Sequence, residues 1–316
     1  MQISGGVILS GGVNLAPGSG GSSGGAYSFQ GSNYGYTSGG STNVIDKFPF
    51  AADANATDVG DLTVARWGSA GQSSSTSGYS SGGSPGTSID KFSFSSDGNA
   101  TDVGDLSQSR NVLAGQSSSI SGYVSGGGDP SVPNNYSNKI DKFPFASDGN
   151  ATNVADLTQA IQGNTGQSSA VSGYSSGGYF PPFLYAIDKF PFASDANATF
   201  VGNLTVARQL PAGQSSTEYG YNSGGMGGGP TSAQAPYRID KFPFASDSNA
   251  TNVGDLTIEQ VYGGAGQSST ASGYTSGGAT PPSSNVIQKF PFATDSNSSD
   301  VGDLTVAAQV SAGQQY

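Results

Sequence analysis

The chain has 316 residues, 50 of them glycine, with 22 acidic and 11 basic side chains and neither cysteine nor histidine, so its net charge is −11. That balance repels phosphate backbones and anionic membranes, and the missing side chains remove disulfides, thiolate chemistry, the usual zinc sites and imidazole acid–base catalysis. A charged fraction of 10% beside 10% aromatics suits many short strands joined by tight turns and excludes a long-helix protein.

Residues 1–26 read as a Gly/Ser-rich arm and linker. Met1–Leu15 has neither a basic start nor a continuous apolar core, so neither a signal peptide nor a membrane span is expected. Ile3-Ser-Gly-Gly-Val7 is echoed by Leu9-Ser-Gly-Gly-Val13, and a flexible linker follows. The expectation is an anchoring arm held by a neighbouring subunit in a larger assembly.

From there the chain repeats itself. Ile-Asp-Lys-Phe begins at Ile45, Ile89, Ile140, Ile187 and Ile239, and Ile-Gln-Lys-Phe at Ile287, at intervals of about 45–50 residues. Around each copy the same words recur in order. A Tyr between small residues leads into a double Gly such as Gly39-Gly40, which suits a short strand ending where φ > 0 or close packing is needed. In Ile45–Phe50 the two Phe share one face of a strand, with Lys47 and Pro49 on the other, and Pro49 points to a bulge or unpaired stretch there. Asp53-Ala-Asn-Ala-Thr57 is turn chemistry in which side chains bond their own backbone. Val59–Arg66 returns as a strand, and Gly-Gln-Ser-Ser follows at Gly71.

Four short strands per unit, six times over, define an all-β six-bladed β-propeller of four-stranded blades across residues 27–316. Helical solenoids fail because Gly, Pro, Ser and Asn interrupt every 3.6-periodic stretch. A β-solenoid is the runner-up. The order of words resembles the kelch repeat, on Gly39-Gly40, Asp46 and Phe48, Val59 and Leu62, and Arg66. It departs from that pattern in carrying Val59 where the family has Trp, and in keeping the Arg only at Arg66, Arg110 and Arg208. The wording Ile-Asp-Lys-Phe-Pro-Phe, Asn-Ala-Thr and Ala-Gly-Gln-Ser-Ser also resembles repeat proteins of marine, cyanophage-type bacteriophages, which implies a virion or tail-fibre component.

A ring must seal its first and last blades or leave two open edges. The last Gly-Gln, at Gly313, has no Gly-Tyr-x-Ser-Gly-Gly after it, and the first such word, at Gly35, has no Gly-Gln before it. The expectation is that 310–316 supplies the innermost strand of the blade begun at Gly35, with Ser28–Asn33 as the competing donor.

Connections between strands one and two, and three and four, share one face of a propeller and scarcely vary among the copies. Those between two and three, and four and one, share the other face and vary in length and content. The variable face carries the candidate ligand-binding residues Arg66, Trp67, Arg110, Tyr136, Tyr179, Phe180, Phe183, Tyr185, Arg208, Tyr237, Arg238 and Tyr262. Exposed aromatics beside Asn, Gln and Arg suit sugar stacking or protein binding, and the alternative is that they pack over the blades.

Asp53, Asn55, Thr57 and Asp61 have the spacing of a calcium loop, yet the sixth position is never the Gly such loops use, and an Asx turn explains the pattern more cheaply. No other cofactor is implied. A glycosidase needs two differently tuned carboxylates in one cleft. Here all aspartates but one lie in repeated words, and the only glutamates are Glu218 and Glu259. The reading is therefore a non-enzymatic virion surface, head-fibre or tail-fibre module that binds host glycan or protein. A purely structural decoration subunit and a bacterial extracellular adhesin are the alternatives.

Overall fold

Each Tyr-bearing strand alternates small residues that let neighbouring blades approach, and each Phe-x-Phe strand puts two rings on one face; pairing the two builds the middle of every blade. In the computed structural model, which describes residues 29–129, 131, 132, 134–228, 232–278 and 282–316, this unit recurs six times. The arm expected at 1–26 lies outside the described residues.

Blade 1 orders its strands from the axis outward as Ala312–Gln315, Tyr34–Ser38, Thr42–Pro49 and Thr57–Arg66. Blade 2 is Ala70–Ser73, Ser77–Ser81, Ser88–Ser93 and Thr101–Asp105, and blade 3 is Ala114–Ser117, Ser121–Ser125, Ser137–Pro144 and Thr152–Ile161. Blade 4 comprises Thr165–Ser168, Ser172–Ser176, Ala186–Pro191 and Thr199–Asn203. Blade 5 comprises Ala212–Ser215, Tyr219–Ser223, Arg238–Pro243 and Thr251–Asp255, and blade 6 Ala265–Ser268, Ser272–Ser276, Val286–Pro291 and Ser299–Asp303. All pairings within the blades are antiparallel, and the architecture is a six-bladed β-propeller.

The core lies between blades. The ring of Tyr36 packs on Phe92 and Phe94 of the next blade, Tyr79 on Phe143 and Phe145, and so on round to Tyr274 on Phe48 and Phe50. Twelve Phe and six Tyr thus form six equal joints, each large side chain contributing roughly 1.5–3 kcal/mol on burial. Three polar circles run parallel to them. Gln72, Gln116, Gln167, Gln214, Gln267 and Gln314 each donate from Nε2 to the backbone oxygen of the next blade's Tyr. Lys47 pairs with Asp97, Lys91 with Asp148, and the series ends with Lys289 on Asp53. Asn99 Oδ1 accepts from the N–H of Asp61, and its copies do likewise through to Asn55 and Asp303. The Asn of each turn therefore caps the neighbouring blade's strand instead of its own turn.

Closure follows from the same bonds. Ala312–Gln315 pairs with Tyr34–Ser38 in the register Ala312↔Ser38 to Gln315↔Gly35, and Gln314 reaches both Ser38 and Tyr79. Segment 29–31 does not take that strand position. Gly31 bonds Ser268, Gln30 bonds Ser215, and the Phe29 carbonyl accepts from Gln315, so the segment crosses the axis at the end where strands one and two connect. Pro49 lies in a stretch that is unpaired on its outer side, as expected: it falls beyond the last outer pair, Lys47↔Thr57, where the outer ladder does not ask for its N–H. A bulge lies apart from it, at Ile45/Asp46 and its copies.

Candidate binding face

Three of the candidate ligand contacts are withdrawn from the surface. Arg66, Arg110 and Arg208 are 1%, 0% and 0% exposed and pair with Asp90, Asp141 and Asp240 of the following blade. Their guanidinium groups also donate to carbonyls, as Arg110 does to Gly126 and Lys139. A ligand on the variable face does not reach them; they are inter-blade ties. Burial pushes Arg110 and Arg208 down from the ordinary Arg range, and the paired carboxylates oppose that shift.

The joints that lack the Arg explain its role. Where Gln260 replaces it, the partner is Gln288, an uncharged side chain in place of Asp. Gln260 Nε2 donates to Gly277 as Arg110 does to Gly126. Where Ile161 and Ala308 replace it, the partners Asp188 and Asp46 remain, held by Thr158 and by Thr305 with the Val306 N–H. Burial raises the pKa of both above the usual Asp value, and the Thr hydrogen bonds offset this in part.

The folded state thus keeps a proton on Asp188 over a pH window in which the unfolded chain has lost it. Its contribution to stability is present at low pH and is lost as pH rises from the ordinary Asp value of 3.8 through the raised one. In thermal melts, wild type is expected to lose ground against Asp188→Asn on raising pH through that window. A difference that is flat, or that moves the other way, contradicts this.

The central channel is too small to be a site. It holds a cavity of about 80 Å³ with Phe29 at the closed end. The innermost strands touch: a Cβ on Gly115 would stand 2.1 Å from the Gly71 carbonyl oxygen. At the variable-face mouth, the residue two before each inner strand is Gly68, Val112, Gly163, Leu210, Gly263 and Val310, so glycine and a large apolar residue alternate round the axis. Backbone bonds link them, from Val112 N to Gly68 O, Gly163 N to Val112 O and Leu210 N to Gly163 O. Val112, Leu210 and Val310 adopt φ of 55°, 58° and 50°, a left-handed conformation that costs about 1–2 kcal/mol each. A Cβ on Gly68 would meet Val112 N at 2.8 Å, and one on Gly263 the Leu210 carbonyl oxygen at 3.1 Å.

Outside this collar the variable face displays side chains from a fixed backbone. Trp67 forms an antiparallel bridge with Ser84, Asn111 with Gly128, and Gln162 with Tyr179, while Arg208–Gln209 pairs with Met226–Gly227. One backbone position, pinned identically in successive blades, therefore carries Trp67, Asn111, Gln162 or Gln209. Three of these meet in a pocket of about 290 Å³ over blades 2 and 3, where Trp67 and Tyr136 stand with Asn111, Gln162, Asp129 and Asn135. Asp129 Oδ1 accepts from the N–H and hydroxyl of Ser131, and those bonds hold its carboxyl below the usual Asp range. Asp129 is the one aspartate outside the repeated words.

Beside this pocket, Tyr136 meets Tyr179 and Phe180 edge to face at 6.0 and 5.6 Å, and Tyr179 meets Phe183 at 5.2 Å. Phe180 remains 47% exposed, which leaves an aromatic shelf joined to the pocket wall. The other candidates do not join it. Tyr237 and Arg238 line a separate pocket of about 360 Å³ with Gln234 and Asp255. Tyr185 is exposed, Tyr262 half-buried, and neither lines either pocket. Sequence reasoning missed Asn111, Asp129, Asn135 and Gln162. For two of them a signal existed, since Asn111 and Gln162 follow Arg110 and Ile161 as Trp67 follows Arg66.

The calcium-loop residues are tied into the ring: Asp53 takes the Lys289 amine, Asn55 the Asp303 N–H, Thr57 bonds the Lys47 carbonyl, and the Asp61 N–H bonds Asn99. Among the described residues no three His, Cys, Asp or Glu side chains gather where they could hold a metal.

Fold and face together define a six-bladed β-propeller that is uniform at one end and individually varied at the other. No family model matches the chain, and no curated protein matches it. Among solved structures it is similar to the one titled "Structure of YjhT", over 79% of this chain and 88% of that one, with a TM-score of 0.64 and 12% identity. Likeness at that identity is one of fold.

Proposed function

We propose that this propeller is a non-enzymatic binding module whose variable face holds a glycan in the pocket between Trp67 and Tyr136. The observation that carries the reading is that pocket: two aromatic side chains and convergent amide and carboxylate groups on a backbone pinned by bridges. Aromatic walls with a few well-placed polar groups are the usual make-up of small-ligand sites. The Asp side chains of the Ile-Asp-Lys-Phe words, Asp46, Asp90, Asp141 and Asp240 among them, are engaged in inter-blade bonds, which favours recognition over turnover.

The kelch-like order of words and the phage-like phrases extend the proposal to a virion surface, head-fibre or tail-fibre module facing a host cell. Segment 29–31 leaves the axis at the uniform end, opposite the pocket. An arm anchored there in a fibre or virion protein would hold the binding face outward.

The test is binding to a glycan array and to host cells with wild type and Trp67→Ala. Wild type is expected to retain a set of glycans that Trp67→Ala loses by about tenfold or more, the equivalent of 1.4 kcal/mol. Host-cell binding that survives removal of surface glycans would favour a protein receptor instead, and no binding in any form would leave a structural subunit.

A further inference from the structure

The charge lining the pocket restricts what it can take. Its residues include one carboxylate, Asp129, and neither Lys nor Arg. Asp129 Oδ2 has no hydrogen bond among the described residues, while Oδ1 is fixed by Ser131. The nearest cation in the lining of the adjoining pocket, Lys139, is turned to Asp156 and Asn153 at 3.5 Å. Asp129, Asn135 and Tyr136 line both pockets, so the same carboxylate guards each. Around them lies a chain of net charge −11.

We infer that the Trp67–Tyr136 pocket is selective for uncharged sugars, with a ring face against the aromatics and a hydroxyl donating to Asp129 Oδ2, and that it rejects sialylated, uronate and sulfated glycans. The inference rests on the glycan-binding reading above. A hydroxyl given to an ionised acceptor makes a charge-assisted bond, roughly twice as strong as a neutral one. An anionic sugar in the same place would have to lose its hydration beside a like charge in a lining that holds no Lys or Arg.

The experiment presents neutral hexose and N-acetylhexosamine oligosaccharides beside sialylated, uronate and sulfated ones, to wild type, Trp67→Ala, Asp129→Asn and Asp129→Lys. Asp129 lies on the surface, so its variants leave the core untouched; thermal melts matching wild type verify this. Wild type is expected to bind neutral glycans with an affinity that salt hardly changes, and Asp129→Asn to weaken them by about tenfold. Asp129→Lys is expected to gain anionic glycans that wild type refuses. Trp67-dependent binding of anionic glycans by wild type, or neutral binding unchanged in Asp129→Asn, overturns the charge selectivity and leaves the binding reading intact. Absence of any Trp67-dependent glycan binding overturns both.

Discussion

Replacing Arg110 with glutamine is expected to destabilise the propeller by about 3–5 kcal/mol, the usual loss when one partner of a buried ion pair is removed. Asp141 is 0% exposed, and its Arg110 partner sits 2.8 Å away. Without it the carboxylate keeps, among the described residues, the Ser107 N–H and hydroxyl. The protein carries a comparison of its own, because blade 6 runs the equivalent joint with Gln260 and Gln288, and with Ser298 where blade 3 has Ala151. There Gln288 Oε1 accepts from Thr257, Ile258 and Ser298 with no charge present. Arg110→Gln combined with Asp141→Gln is therefore expected to recover most of the loss, which denaturant unfolding measures directly. A single variant within about 1 kcal/mol of wild type, or a double variant as weak as the single, would show that these arginines are not inter-blade ties.

Deleting residues 312–316 is expected to have an effect at least as large, about 5 kcal/mol or more, a loss on the scale of a domain's whole stability. The deletion strips the inner edge from Tyr34–Ser38, removes Gln314 from the Tyr79 carbonyl and Ser38, and takes away the Tyr316 groups that bond Tyr34. Each buried backbone group left without a partner costs about 1–3 kcal/mol. Gln314→Ala, which leaves the strand in place, is expected to fall between wild type and the deletion. Thermal unfolding followed by circular dichroism orders the three, and a deletion that melts with wild type would falsify closure by this strand.

The repeated words by themselves make the blade legible. Two Phe at i and i+2 must share a face, a Tyr between small residues must sit close to its neighbours, and the orphaned words at Gly35 and Gly313 belong to strands that pair. The arginines were misplaced because Arg66 ends its strand at the start of a variable connection, where a long cation usually meets solvent. Its partner Asp90 belongs to the next copy of the repeat, and only the ring brings the two together. The exchange of Gln260 with Gln288 was the visible trace of that pairing. The varied face was legible as a region but not as a pocket: Trp67 and Tyr136 were candidates, while the polar groups that complete their pocket looked like ordinary loop residues.

What the sequence determined by itself is the blade and its number, since strand, turn and face follow from local alternation and from bonds that a short segment makes. The ring's tertiary structure alone decided which side chains meet across copies. It buried three arginines, set Gly68, Val112 and their counterparts in alternation round the axis, and brought Asp129 into one pocket with Trp67. Those outcomes depend on distances between residues many positions apart, which packing sets and local pattern does not encode.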